Sequence, residues 1–387
     1  MSVPAEELEA RVGRLQAGLA AEGLDGALII QRLDLYYYAG TVDLDYFVVP
    51  TAGRPLGLAR YAPSGDCPWP TVRIGRREDL AGFVAELVGS GRRLGLELDV
   101  LPARLYLRLA RELGDYDLVD VSPLIRRQRA KKTAWELEVL RATAQKDLAV
   151  WAAVPELLSR AQTDLELAAA IEATARRQGH QGLIRFRAFN EEIYFNSVLA
   201  GPPAALPGPW DTPLSGKGVS PTFPQGTAGV PLRPGEPILI DYGGCYRGYI
   251  VDQSRQFARG YLPPDLVRIY QVARDIQEAV VAEARPGTSC GALYATAYRL
   301  AEKAGLAEYF MGPKRVPFVG HGVGLELDEW PVLARGSTVL LEPGMVFALE
   351  PKFALPGVGA VGLENCYAVT ETGVERLTLA TDELIVV

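Results

Sequence analysis

Apolar residues recur at helical spacing from Glu6 to Glu22 (Leu8, Val12, Leu15, Leu19), and Gly23 closes the run. Two short apolar runs, Ala27–Ile30 and Tyr46–Val49, suit buried strands. Glu78–Val88 returns to the helical period, Arg93–Leu98 is strand-like, and Pro102–Leu113 is helical again. This alternation predicts a small α/β domain ending near Val121–Leu124.

Ile125–Lys132 is polar and breaks the pattern, which puts a domain boundary there, between residues 1–125 and 130–387. Its cations, Arg126, Arg127, Arg129, Lys131 and Lys132, read as a solvated linker. A long helical pattern runs from Thr133 to about Leu158, and a second covers Asp164–Gln178 with Thr163 or Asp164 as N-cap. Pro and Gly then crowd Gly201–Pro237, which excludes a regular element and predicts an ordered loop near an active site. Strands at Pro237–Tyr242 and Tyr249–Phe257, helices at Pro264–Ala284 and Cys290–Ala304, and further strands complete the chain. No short-period repeat is present, although two halves on a similar helix-then-strand plan fit the pattern.

Length and composition narrow the function classes. A chain of 387 residues exceeds what one core serves. The net charge of −7, with both signs mixed, argues against nucleic acid as the main partner. No apolar run is long enough to cross a bilayer, and Met1–Arg14 is acidic and helical rather than signal-like. Cys67, Cys245, Cys290 and Cys366 form no CxxC pair, which fits a reducing compartment and predicts a cytoplasmic protein. The chain has two histidines, His180 and His321, too few for any His-rich catalytic scheme.

Carboxylates inside apolar runs carry the candidate chemistry. The stretch 238–252 reads ILIDYGGCYRGYIVD: an apolar strand with Asp241, a Gly-containing turn, and a second apolar strand with Asp252. In such a hairpin the two aspartates can lie opposite one another, and paired buried carboxylates persist as charges only around a cation. Asp241 could also merely cap the turn. His321 lies in Phe318-Val319-Gly320-His321-Gly322-Val323-Gly324, where the glycines let other groups approach the ring. Glu350, in Val346–Lys352, and Glu364, in Gly362–Tyr367, each sit in an apolar, strand-like run. Ion pairing to Lys352 or Arg335 would explain these glutamates without a metal. Four carboxylates and one imidazole together make an oxygen-rich site suited to two divalent ions.

The order and spacing of Asp241, Asp252, His321, Glu350 and Glu364, inside DYGGCYRGYIVDQSRQF, GHGVG, ALEPK and GLEN, resemble the pita-bread metallopeptidases: methionine aminopeptidase, aminopeptidase P and prolidase, with creatinase as a relative. The resemblance implies an α/β creatinase-type N-terminal domain, which favours the proline-specific branch, and an α+β pita-bread catalytic domain. It implies that Asp241 chelates one ion, that His321 and Glu350 hold the other, and that Asp252 and Glu364 bridge them. The ions would be Mn, Co, Fe or Zn. A metal-bridging hydroxide would hydrolyse Xaa-Pro bonds in dipeptides or short peptides, with Glu350 as general base. A homodimer is implied as well.

Two departures bear on the substrate. The family pattern HGxGxxxHExP has a second His where this chain has Asp328, and Ala200–Lys217 lacks the further substrate-side His. Arg185 and Arg187, two apart in a strand-like run, are candidate substrate donors, although an Arg paired to a structural carboxylate fits as well. His180 is a candidate stand-in for a missing His. The alternative reading is a C–N hydrolase or lyase acting on a small zwitterion that Asp328 would bind. The ligand set counts against creatinase itself, which works without metal. A peptidase-like binding module of the histone-chaperone kind is disfavoured because such modules lose the ligands.

Overall fold

A computed structural model describes residues 2–62, 67–75, 80–90 and 92–387. The chain divides into two compact units. One contains the described residues up to Arg129 together with Arg187–Phe189; the other contains Ala130–Phe186 and Asn190–Val387.

In the first unit the order is α1 (Ala5–Ala21), β1 (Gly26–Ile29), α2 (Arg32–Ala39), β2 (Tyr46–Pro50), β3 (Leu56–Ala59), β4 (Thr71–Arg73), α3 (Leu80–Val88), β5 (Arg93–Leu96), α4 (Ala103–Glu112), β6 (Asp117–Asp120) and α5 (Ser122–Ala130). Helix α1 buries Leu8, Val12, Leu15 and Leu19, the stripe its period predicts. The strands form one sheet in the order β4-β3-β2-β1-β5-β6. It is mixed: β1 runs antiparallel to β2 and parallel to β5. Strands β3 and β4 escape the sequence pattern because they are short, four and three residues, and β4 is largely exposed. The expected start of α3 at Glu78 lies outside the described residues, as does Met1.

The polar stretch before Thr133 is not a solvated linker. Residues Ser122–Ala130 are helical, Arg129 is buried against Asp34 at 2.8 Å, and Lys132 is buried against Glu329 at 3.0 Å. Charge composition alone cannot tell a solvated cation from one paired with a distant carboxylate.

The second unit opens with α6 (Ala134–Arg160) and α7 (Asp164–Arg177). Helix α6 starts at a capping box, in which Thr133 accepts from the Glu136 N–H and Glu136 accepts from the Thr133 N–H. Strands β7 (Asn196–Ala200), β8 (Pro237–Tyr246) and β9 (Tyr249–Ala258) follow. Next come α8 (Pro264–Glu283), α9 (Cys290–Lys303), β10 (Phe318–Val323), β11 (Leu327–Ala334), β12 (Val346–Leu349), β13 (Lys352–Leu355), β14 (Gly359–Gly362), β15 (Asn365–Val369), β16 (Val374–Arg376) and β17 (Ile385–Val386). A helix pair followed by strands thus occurs twice.

The sheets of this unit are β17-β9-β8-β7, β11-β10-β12-β15-β16 and the pair β13-β14. One apolar cluster joins α6 and α7 to β7, β8 and β9, and another joins α8 and α9 to the later strands. Among the described residues no helix is long and apolar enough to cross a membrane.

Candidate metal centre

Strands β8 and β9 form a hairpin closed by Arg247 and Gly248, both at positive φ, the requirement of a tight two-residue turn. The register pairs Asp241 with Ser254 and Gly243 with Asp252. The two aspartates are therefore not directly opposite, as the hairpin reading expected, but two positions out of step. An even offset keeps them on one face as diagonal neighbours.

His321 lies on β10, paired with Ala348 of β12 and Val332 of β11. Its glycine neighbours are required by crowding: a Cβ on Gly322 would lie 2.4 Å from the Trp330 carbonyl oxygen, and one on Gly320 would lie 2.3 Å from that of Ala348. The two glutamates are not within strands. Glu350 falls between β12 and β13, and Glu364 between β14 and β15, so both occupy joints where the chain leaves one sheet for another. Glu364 is tied to β9 by backbone hydrogen bonds with Ser254 in both directions.

Asp252, His321 and Glu364 each offer a ligand atom, all within 4.8 Å of one another. His321 Nε2 lies 3.7 Å from Glu364 Oε1 and 3.8 Å from Glu350 Oε1. On the other side of the ring Nδ1 is 3.1 Å from Asp328 Oδ1 and 3.2 Å from the Gly322 carbonyl. Burial opposes protonation of this imidazole, but Asp328, Glu350, Glu364 and Asp252 together push its pKa up to about 9. Burial, reinforced by Glu364 and Asp241, holds the Asp252 carboxyl well above the usual carboxylate range.

This set fits a divalent ion. Glu364 Oε1 is buried and makes no hydrogen bond, the condition of a carboxylate oxygen awaiting a ligand partner. Two carboxylates and an imidazole suit Mn, Co, Fe or Zn. The same test fails for a second ion. The ammonium of Lys352 lies 3.0 Å from Asp241 Oδ2, 2.9 Å from Glu350 Oε2 and 2.7 Å from Glu364 Oε2.

An open cleft of ≈ 940 Å³, counting the solvent at its mouth, reaches these groups. Asp241, Asp252, His321, Glu350, Lys352 and Glu364 line its polar end, and Ile184, Tyr194, Trp210, Phe318 and Leu327 line its apolar walls. The Pro- and Gly-rich loop contributes Trp210–Ser215 and Gln225, close to the site as its composition suggested.

The proposed substrate donors stand apart from this cleft, Asp328 excepted. Arg185 and Arg187 do not share a strand face; they flank a single bridge residue, Phe186. Arg185 is exposed to solvent. Arg187 belongs to the first unit, where it bonds Asp34 at 2.6 Å and grips Asp99 through Nε and Nη2 at 2.8 and 3.1 Å. His180 is buried with both nitrogens engaged: Nδ1 accepts from the Gly182 N–H at 2.8 Å, so Nε2 donates to the Gly243 carbonyl at 2.9 Å. Its ring stacks on Phe195.

Sequence reasoning named Lys352 only as an ion-pair partner and did not place it among three carboxylates. The available signal was its spacing, two residues from Glu350 in an extended run.

Comparison with known proteins agrees with this architecture. Residues 138–371 match metallopeptidase family M24, and residues 11–131 match the creatinase/prolidase N-terminal domain. The chain belongs to metallopeptidase family M24. The M24 chain is 30% identical to the probable dipeptidase PepE of Mycobacterium tuberculosis over 99% of its own length and 97% of the relative's. The crystal structure of dipeptidase PepE from Mycobacterium ulcerans superposes with a TM-score of 0.82 at 26% identity, covering 100% of this chain and 99% of that one. An Xaa-Pro dipeptidase from Bacillus anthracis gives 0.82 at 25% identity, covering 98% and 100%. The fold is thus the creatinase-type domain followed by the pita-bread catalytic domain, in a family that uses divalent metal.

Proposed function

We propose that this M24 chain is a metal-dependent peptidase that hydrolyses the bond preceding proline in dipeptides or short peptides. The observation that carries this reading is the convergence of Asp252, His321 and Glu364 at the polar end of a cleft with aromatic walls. The similar Xaa-Pro dipeptidase from Bacillus anthracis supports the choice of bond.

A divalent ion bound there would supply Lewis acidity and water of lowered pKa. The chain's own groups do the rest. The Gly322 carbonyl on His321 Nδ1, with the Asp328 carboxylate beside it, orients the ring and leaves Nε2 directed at the ligand position. Glu350 engages Lys352 through Oε2 and keeps Oε1 on the His321 side, where it would take a proton from the attacking water and return it to the leaving amine. Trp210, Tyr194 and Phe318 offer flat apolar surface that suits a pyrrolidine ring and excludes water around the scissile bond.

The two-ion form of this chemistry needs an ion on Asp241 with Asp252 and Glu364, and the Lys352 ammonium bonds both Asp241 and Glu364. The zwitterion reading gains no observation, because the Asp328 carboxylate that motivated it faces His321.

The test is a chelator-stripped enzyme, restored with Mn, Co or Zn, assayed on Xaa-Pro dipeptides, longer Xaa-Pro peptides and non-proline controls. Metal-dependent cleavage confined to proline bonds is expected. Activity that survives stripping, or equal turnover of the controls, would sink the proposal.

A further inference from the structure

We infer that Lys352 is a built-in cation occupying one of the two positions its carboxylate cluster offers, so that this chain holds a single divalent ion, on Asp252, His321 and Glu364. The inference rests on the metal-site reading above but concerns how many ions the site takes.

The first argument is hydrogen-bond satisfaction. An ammonium has three donors, and Lys352 Nζ has three carboxylate oxygens at 2.7–3.0 Å: Asp241 Oδ2, Glu350 Oε2 and Glu364 Oε2. A divalent ion bound by the same oxygens would sit about 2.0–2.2 Å from each. Ion and ammonium cannot both occupy that point.

The second argument is how the shared carboxylates divide their oxygens. Glu350 and Glu364 each give Oε2 to Lys352 and turn Oε1 toward His321 Nε2. Glu364 Oε2 also accepts from the Ser254 hydroxyl at 2.9 Å, whereas its Oε1 makes no hydrogen bond. One half of the cluster is filled and the other half is open to a ligand.

The third argument is the path of the side chain. Lys352 starts β13 and pairs with Gly362 of β14, where a Cβ would lie 2.8 Å from the Lys352 Cα and 3.0 Å from its Cγ. The missing side chain at Gly362 makes room for the lysine stem, and the side chain is 3% exposed. A second ion at that point would have to displace this ammonium from all three of its carboxylate partners, which is costly for a side chain so nearly buried.

The experiment measures stoichiometry on the full chain and needs no substrate. The stripped protein is titrated with Mn²⁺ by calorimetry, its metal content is measured after desalting, and the spin-resonance spectrum of the loaded protein is recorded. One Mn²⁺ per chain with an uncoupled six-line spectrum is expected. Lys352→Met, which removes the charge but keeps the apolar stem, is expected to take up a second ion and give an exchange-coupled spectrum. Asp241→Asn is expected to keep the single ion, whereas Asp252→Asn is expected to lose it. Two ions or none in the unaltered chain would overturn the inference. So would loss of the single ion in Asp241→Asn, or a folded Lys352→Met that still binds one. Failure of the peptidase reading is distinguishable: one bound ion without cleavage of proline peptides sinks that reading and leaves this one standing, and two ions with cleavage do the reverse.

Discussion

His321 Nδ1 lies 3.1 Å from Asp328 Oδ1, while its Nε2 faces Glu350 and Glu364 at 3.8 and 3.7 Å. A carboxylate behind a ligating imidazole fixes the ring, selects the tautomer and raises its basicity. Asp328 stands seven residues after His321, and the chain reaches it through a left-handed conformation at φ 60°, which Asp and Asn tolerate better than most residues. Asp328→Asn keeps that backbone tolerance and removes the charge. We expect it to weaken Mn²⁺ binding by roughly 10–100-fold. Competition against a calibrated chelator measures this, and unchanged affinity would show that Asp328 does not support the ligand.

Arg187 is held by Asp34 and Asp99 with its side chain 6% exposed. Removing one partner of a buried ion pair costs about 3–5 kcal/mol, and the low end is expected because Arg129 still compensates Asp34. Arg187→Ala should therefore lower the unfolding free energy by about 3 kcal/mol, read from urea denaturation. A substrate-binding Arg would behave in the opposite way, with KM raised and stability intact.

Two glycine-to-alanine changes should differ in sign. At Gly322 the added methyl meets the Trp330 and Glu329 carbonyl oxygens at 2.4 and 2.5 Å, and backbone on a paired strand cannot yield cheaply. Gly322→Ala is expected to cost at least about 1–3 kcal/mol and to weaken metal binding by displacing His321. At Gly13, in the middle of α1, nothing lies within 4 Å of the added carbon. Gly13→Ala should stabilise by roughly 0.5–1 kcal/mol through helix propensity. Thermal unfolding of both variants side by side checks the contrast.

His180 supplies the pH prediction. Burial pushes its pKa below the ordinary 6.5, and the nearby Arg176 adds to this against the opposing hydrogen bond to Gly243. The unfolded chain thus binds a proton that the folded one refuses, so stability is full above about pH 6.5 and declines as pH falls through the depressed folded value. His180→Gln should flatten the decline that begins below about pH 6.5, measured by urea unfolding at a series of pH values. An acid limb of the same slope would assign it to other groups.

Much of the architecture was legible because it is written in local period. The stripe of α1, the N-cap at Thr163 and the two long strands around Arg247-Gly248 are each set by near neighbours in the chain. The same locality explains why the short strands β3 and β4 escape the pattern and why spacing alone puts Arg185 and Arg187 on one face.

By itself, then, the sequence determined the α/β alternation of the first domain and the strings that carry Asp241, Asp252, His321, Glu350 and Glu364, each a local pattern, and their resemblance to a known family implied the pita-bread plan. Only the tertiary structure decided which charges meet: the two-residue offset between Asp241 and Asp252, Arg187 bound to Asp34 across 153 positions, and Lys352 among three carboxylates. The physical reason is that a lysine or arginine has the same composition and period whether it faces water or a buried anion. Its partner is selected by strand register and sheet joints, which bring together residues that no local pattern relates.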